Sequence, residues 1–285
     1  MLKQITVGID GSKDSFDAFK QALDLAERIQ GSVKAVFVID IRKTQVPIVY
    51  AGASYDASFE RIYIPPDPDL RKLYEKIGSD LGKFGENCVK ECAEAAEKRG
   101  ISCQTEVREG YPSEQLIEES RAGDLLIIGQ RGENSRYKRE IVGSTTEDVV
   151  RSAPRPVLVC PAYRESVKPI LFPYDRSRTA ENALQFYVTT ARNLATDFVM
   201  LVVDEDGTDQ PVETELAYLR EHDIPVRILA RKGHPIQMVV DVAQEIDADI
   251  ILVGAHGKNK IKDYLLGSTT ANLIRKSMVP VLIVY

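Results

Sequence analysis

The chain has 285 residues, 44% hydrophobic and 28% charged, with a formal net charge of −6. Such a length accommodates two domains, the apolar content excludes a disordered chain, and the acidic balance argues against broad nucleic-acid or acidic-membrane binding, which needs clustered Lys and Arg. No apolar run approaches the roughly 20 residues of a membrane span, and Met1 leads into Ile5–Ile9 without the three-part pattern of a secretory leader, so a cytoplasmic protein is expected.

In chain order, Ile5–Ile9 reads as a strand, and Phe16, Phe19, Leu23 and Ala26 recur after it at helical spacing. Val33–Ile39 is a second apolar run. An insertion of about forty residues follows Asp40, covering about 41–85. Its Pro65-Pro66-Asp67-Pro68 segment and tyrosines predict an irregular loop rather than a strand, and a long charged helix is expected over roughly Leu70–Arg99. The insertion is either a lid over a pocket or surface elaboration. A short strand at Glu106–Val107, a helix at Ser113–Ser120 and apolar strands at Leu125–Ile128 and Val157–Cys160 complete the first series. Pro161–Lys168 is a polar linker. The second series has strands at Ile170–Phe172, Phe198–Val203, Arg227–Leu229, Ile250–Val253 and Val281–Val284, with a helix at Ile236–Glu245.

The second series repeats the first. Ile9-Asp10-Gly11-Ser12 corresponds to Tyr174-Asp175-Arg176-Ser177, Gly110-Tyr111-Pro112 to Gly233-His234-Pro235, and Gly143-Ser144-Thr145-Thr146 to Gly267-Ser268-Thr269-Thr270. The apolar runs do not alternate, as expected for parallel strands covered on both faces. The fold class is therefore α/β: two tandem doubly wound parallel-sheet domains, 1–163 and 164–285, each an α/β sandwich. Each copy closes on an apolar strand expected at a sheet edge, and pairing those edges within one chain predicts an intramolecular pseudo-dimer. A further homodimer is left open.

The constellation richest in chemistry is Gly254-Ala255-His256-Gly257, nine residues, then Gly267-Ser268-Thr269, between an apolar strand and a helix. Glycines let backbone N–H groups approach a phosphate, and the hydroxyls and amides of a helix start can hold an anion. The alternative is that the glycines only turn the chain and Ser268 only caps a helix. Asp175 ends a first strand, where it can accept hydrogen bonds from an adenine amino group or a ribose hydroxyl, or cap the next helix. Lys258 can offset phosphate charge, although a solvated loop explains it equally.

This pattern of Gly, two residues, Gly, nine residues, Gly-Ser resembles the nucleotide-binding signature of the ATP-binding branch of universal stress proteins, and Phe172–Ser177 resembles that family's first strand and turn. The resemblance covers essentially the whole chain. It implies an adenine-nucleotide alpha hydrolase-like fold and a site for ATP, with Mg2+ as its companion ion. Pro173, Asp175 and the backbone near Val202 would meet the adenosine. Gly254, His256 and Gly257, beside Lys258, would line ribose and phosphates, and Gly267, Ser268 and Thr269 would bind phosphate. In the first copy Asp10, Val38, Gly129, Arg131, Gly132, Gly143, Ser144 and Thr145 take the corresponding places. Ten residues separate Gly132 from Gly143 there, one more than the family spacing, so the second copy ranks first.

The implied function is a stress or signalling protein whose stability or partner binding follows nucleotide occupancy. A nucleotide-free interaction module is one alternative, with the tyrosine-rich insertion as its working surface, and a slow ATPase is another. Gly78-Ser79-Asp80-Leu81-Gly82-Lys83 is no Walker loop, because three residues separate its glycines and Phe84 replaces the hydroxyl. Cys88, Cys92, Cys103 and Cys160 show no CxxC spacing and are expected as free thiols rather than metal ligands.

Overall fold

The computed structural model describes residues 2–47, 49–55, 58–65, 67–132, 142–165, 169–191, 197–204, 212–255 and 268–285. The first half runs β1 (Gln4–Ile9), α1 (Lys13–Ile29), β2 (Ser32–Asp40), α2 (Ile41–Thr44), β3 (Val49–Tyr55), β4 (Ser58–Ile64), α3 (Pro68–Glu97), β5 (Cys103–Gly110), α4 (Pro112–Ser120), β6 (Leu125–Gly129), α5 (Ser144–Ser152) and β7 (Val157–Cys160). The second runs β8 (Ile170–Pro173), α6 (Arg178–Phe186), β9 (Phe198–Asp204), α7 (Glu213–Glu221), β10 (Val226–Lys232), α8 (Pro235–Glu245), β11 (Ile250–Gly254), α9 (Ser268–Lys276) and β12 (Val281–Val284). A π-helical turn, Tyr187–Ala191, extends α6.

The segment expected to be an irregular loop is a correction. Val49–Tyr55 and Ser58–Ile64 pair antiparallel as a separate two-stranded hairpin. Phe59, Ile62, Tyr63 and Ile64 are β-formers by shape, and that preference outweighs the turn signal of the prolines, which lie beyond the second strand. The hairpin tyrosines, named above as a working surface, lie outside the residues whose side chains are described.

The other ten strands form one sheet in the order β10-β9-β8-β11-β12-β7-β6-β1-β2-β5. Strands within each half are parallel, and the halves join through β7 and β12, which pair antiparallel with Leu158 opposite Leu282. Antiparallel pairing of equivalent strands is what an approximate two-fold relation requires, and it places the two expected edges at the centre of the sheet. Helices cover both faces. Ala18 of α1, Val89 of α3, Ala183 of α6 and Leu219 of α7 share one core with Ile5 and Ile170. Leu116 of α4, Val149 of α5, Val239 of α8 and Leu273 of α9 share the other with Leu126 and Ile251.

The junction also satisfies helix ends that would otherwise be buried without partners. The Tyr285 hydroxyl donates to the Val150 carbonyl of α5 at 2.6 Å, and the Gln130 amide donates to the Ile274 carbonyl of α9. Those carbonyls are equivalent in the two copies, whereas the donors are not. Tyr285→Phe removes one donor and leaves the Val150 carbonyl unpaired, so a loss of about 1–2 kcal/mol in urea unfolding is expected. An unchanged midpoint would show that the carbonyl finds another partner.

The β5 edge carries a charge network. Lys34 pairs with Glu106 at 2.6 Å and with Glu119, while Arg108 pairs with Glu106 at 2.6 Å and with Glu119. The Lys34 ammonium holds the Glu106 carboxyl below the usual carboxylate range, with Arg108 adding to the effect. A depressed folded value means that this stabilisation is present above the unfolded value and lost as pH falls through the folded one. Glu106→Gln should therefore lower the urea midpoint at pH 7, and the gap from the parent protein should close well below about pH 4. A gap that persists in acid would assign the effect to shape rather than charge.

Cys88, Cys92 and Cys160 are buried, Cys103 is half-buried, and none of the four forms a disulfide. Burial pushes Cys92 and Cys160 well above the usual thiol range, which suits packing rather than reactivity.

Candidate functional site

Each half has the same turn after its first strand. Asp10 Oδ1 accepts from the Ser12 backbone N–H at 2.9 Å, and Asp175 Oδ1 accepts from that of Ser177 at 2.9 Å. The serines cap the helices that follow: Ser12 Oγ accepts from the Ser15 N–H, and Ser177 Oγ from the Ala180 N–H. Asp175 is therefore not the helix cap considered above; it braces the turn before the cap. The residue between aspartate and serine is left-handed in both copies, Gly11 at φ +81° and Arg176 at φ +59°. Glycine takes this conformation without strain, whereas arginine carries a backbone penalty of about 1 kcal/mol or more.

A second shared feature closes the ends of β6 and β11. Thr146 Oγ1 donates to the Gly129 carbonyl at 3.0 Å, and Thr270 Oγ1 donates to the Gly254 and Ala255 carbonyls at 3.3 Å. The last threonine of each Gly-Ser-Thr-Thr run thus ties the helix start to the strand end. Gly129 and Gly254 face the first turns of α1 and α6. A Cβ at Gly129 would lie 2.9 Å from the Asp14 backbone carbon, and one at Gly254 would lie 2.4 Å from that of Thr179. Close packing of strand on helix therefore requires both glycines, independently of any ligand.

Between β1 and β6 the strand order reverses, and at the C-terminal ends of these strands a cavity of about 510 Å³ opens. This is the usual ligand crevice of an open α/β sheet, and the volume suits a small-molecule ligand. Asp10, Val38, Gly129, Arg131, Gly132, Gly143, Ser144 and Thr145 all line it. Sequence reasoning missed Phe37, Ile39, Arg42, Lys43, Leu81 and Phe84, which line it as well. The basic pair Arg42-Lys43, one residue beyond Asp40, was a readable signal, but only packing of α3 could reveal Leu81 and Phe84.

The two ends of the cavity differ. Near β6, Gly143 stands at the N-cap of α5, among the described residues no side chain caps that helix, and its first residues line the cavity beside Gly132 and Arg131. Uncapped helix amides and an arginine make an anion-binding end. Burial pushes the Asp14 carboxyl up, opposed by the charge of Arg131 and a hydrogen bond from its backbone N–H, which fixes Arg131 against α1. Near β2 the walls are apolar: Val36, Phe37, Val38, Ile39, Leu81 and Phe84. Asp40 and Arg42 stand beside them, the guanidinium held by Asp40 at 2.6 Å and lying 5.9 Å above the Tyr111 ring. The Arg42 guanidinium holds the Asp40 carboxyl below the usual range.

In the second copy Pro173 ends β8, Gly254 ends β11, and Ser268 and Thr269 open α9. His256, Gly257, Lys258 and Gly267 lie outside the described residues. Strand register corrects one pairing. Ile9 aligns with Phe37 in the first copy, and Ile170 with Phe198 in the second, so the counterpart of Val202 is Phe37 and that of Val38 is Val203. A slip of one residue moves a side chain to the opposite face, and similar runs of valine hide it in the sequence. The Walker-like stretch Gly78–Lys83 is helical within α3 and forms no phosphate loop.

The model of the universal stress protein family matches residues 1–161 and again 166–285. The universal stress protein Slr1230 of Synechocystis is 27% identical, the match covering 99% of each chain. A universal stress protein of Mycolicibacterium smegmatis is 25% identical over 98% of this chain and 96% of its own. The crystal structure of a universal stress protein from Archaeoglobus fulgidus superimposes with a TM-score of 0.71 at 22% identity, covering 98% of this chain and 97% of that one. With both halves matched and the fold shared over nearly the whole length, the chain belongs to the universal stress protein family and carries two of its domains in one polypeptide.

Proposed function

We propose that this universal stress protein binds ATP, and that nucleotide occupancy sets its stability or its affinity for a partner in a cytoplasmic stress or signalling response. The observation that carries the reading is the polarity of the first-copy cavity, with the start of α5, which no side chain caps among the described residues, and Arg131 at one end and an apolar pocket at the other. Phosphates would be held by the amides of Ser144 and Thr145, by Gly132 and by Arg131. Asp10 would accept from the ribose or the adenine amino group, and the walls of β2 would cover the base. An accompanying Mg2+ would neutralise phosphate charge. Gly132 leaves the room this needs, because a Cβ there would stand 2.9 Å from Asp10 Oδ2.

For the second copy the proposal rests on the Gly254–Thr269 motif and on the turn at Asp175, which matches that at Asp10. We also propose the boundary between the two domains near residue 163. Among the described residues no helix is long and apolar enough to cross a membrane.

A ligand that binds only the folded chain stabilises it by RT ln(1 + [L]/Kd), about 2.7 kcal/mol at 100 Kd. Nucleotide release from the purified protein, followed by calorimetry and thermal unfolding with ATP, tests the reading. Binding with a concentration-dependent rise in Tm is expected. No released nucleotide together with no measurable affinity would remove it.

A further inference from the structure

One wall of the cavity comes from the insertion. Phe84 of α3 lines the cavity and is 42% exposed, although its helix packs on β2 and β5. Its position is over-determined. Gly85 brings the helix so close to β2 that a Cβ would stand 2.5 Å from Phe37 Cδ1. The Phe84 ring meets Phe37 edge to face, with centroids 5.9 Å apart and planes at 78°. Its rim lies over Gly11, where a Cβ would be 2.4 Å from Cζ. Thus Gly11 answers both a left-handed turn and this ring; its counterpart at the same left-handed turn of the second copy is Arg176.

An aromatic ring anchored on two sides and open on the cavity side is suited to stack against a flat, weakly polar group. It stands at β2, two strands from the phosphate-binding end at β6, or about 10 Å at the usual strand spacing. That separation matches the reach from a phosphate group to a base across a ribose. Resting on the nucleotide reading of the cavity, we propose that Phe84 is the base-stacking residue of the first-copy site, so that the insertion makes this copy recognise the base as well as the phosphates.

The test uses the full chain carrying Gly267→Val, a change intended to disable the phosphate site proposed for the second copy so that binding reports the first copy. ATP and inorganic tripolyphosphate, a probe without a base, are titrated by calorimetry into this chain and into its Phe84→Ala, Phe84→Leu and Phe84→Tyr derivatives. Base stacking on an aromatic ring predicts that Phe84→Ala weakens ATP by about tenfold or more, that Phe84→Leu does so while filling the space, and that Phe84→Tyr restores affinity. Tripolyphosphate affinity is expected to stay within about twofold in all four chains, since no stacking acts on it. ATP affinity unchanged in Phe84→Leu, or equal losses for ATP and tripolyphosphate, overturns the proposal while the nucleotide reading stands. If the starting chain binds neither probe, the nucleotide reading of the first copy itself has failed.

Discussion

Gly132→Val is expected to lower the affinity of the first copy for ATP by at least about a hundredfold, because at least two charge-assisted hydrogen bonds to phosphate, worth ~1.5–3 kcal/mol each, would be lost. Gly132 lies beside Arg131 and opposite the start of α5, and even a Cβ would stand 2.9 Å from Asp10 Oδ2. Asp10 has little room to retreat, since it holds the turn through the Ser12 N–H at 2.9 Å. A branched side chain therefore occupies the space between the carboxylate and the helix amides. Gly132 does not use the left-handed region, so valine brings no left-handed backbone strain, and any loss in Tm without ligand should come from the contact with Asp10 alone. Calorimetry in the Gly267→Val chain reads the first copy directly. An unchanged Kd there would sink the assignment of this cavity to phosphate.

Gly254→Val should cost about 3 kcal/mol or more in urea unfolding, at the upper end of what overpacking a core produces. The reason is what its Cβ would meet: the Thr179 backbone carbon at 2.4 Å and carbonyl oxygen at 2.5 Å, in the first turn of α6. A side-chain tip could swing away, whereas a helix backbone has to move as a body. At the equivalent Gly129 the nearest atoms are at 2.9 and 3.0 Å, so alanine should be tolerated better at 129 than at 254. Equal, small losses at both positions would mean that strand and helix separate easily, and that these glycines serve ligand access after all.

Much of the fold was legible because its signals are local. Unalternated apolar runs located eight of the ten strands of the main sheet, the other two were read as short strands before the Gly-x-Pro turns, ends were off by at most three residues, and the repeated landmarks required a duplication. The hairpin within the insertion was misread because prolines beyond its second strand were given more weight than the β-forming residues Phe59 to Ile64. The site divided in the same manner. Glycines, serines and Asp10 announce themselves by type and spacing, and they do line one cavity. The pairing of Val202 with Val38 failed, because adjacent valines carry no mark of which face they serve.

The sequence by itself determined that this chain is two copies of one α/β unit, each with an aspartate turn and a Gly-Ser-Thr-Thr helix start, since these depend on residue order and short-range geometry. It also predicted that the closing strands of the copies pair, whereas only the tertiary structure decided that Tyr285 and Gln130 cap equivalent carbonyls across β7 and β12. The tertiary structure alone also brought Phe84 from the insertion over Gly11. The physical reason is the same in both cases: contacts between residues more than seventy positions apart depend on how strands order and helices dock, and no local pattern records that.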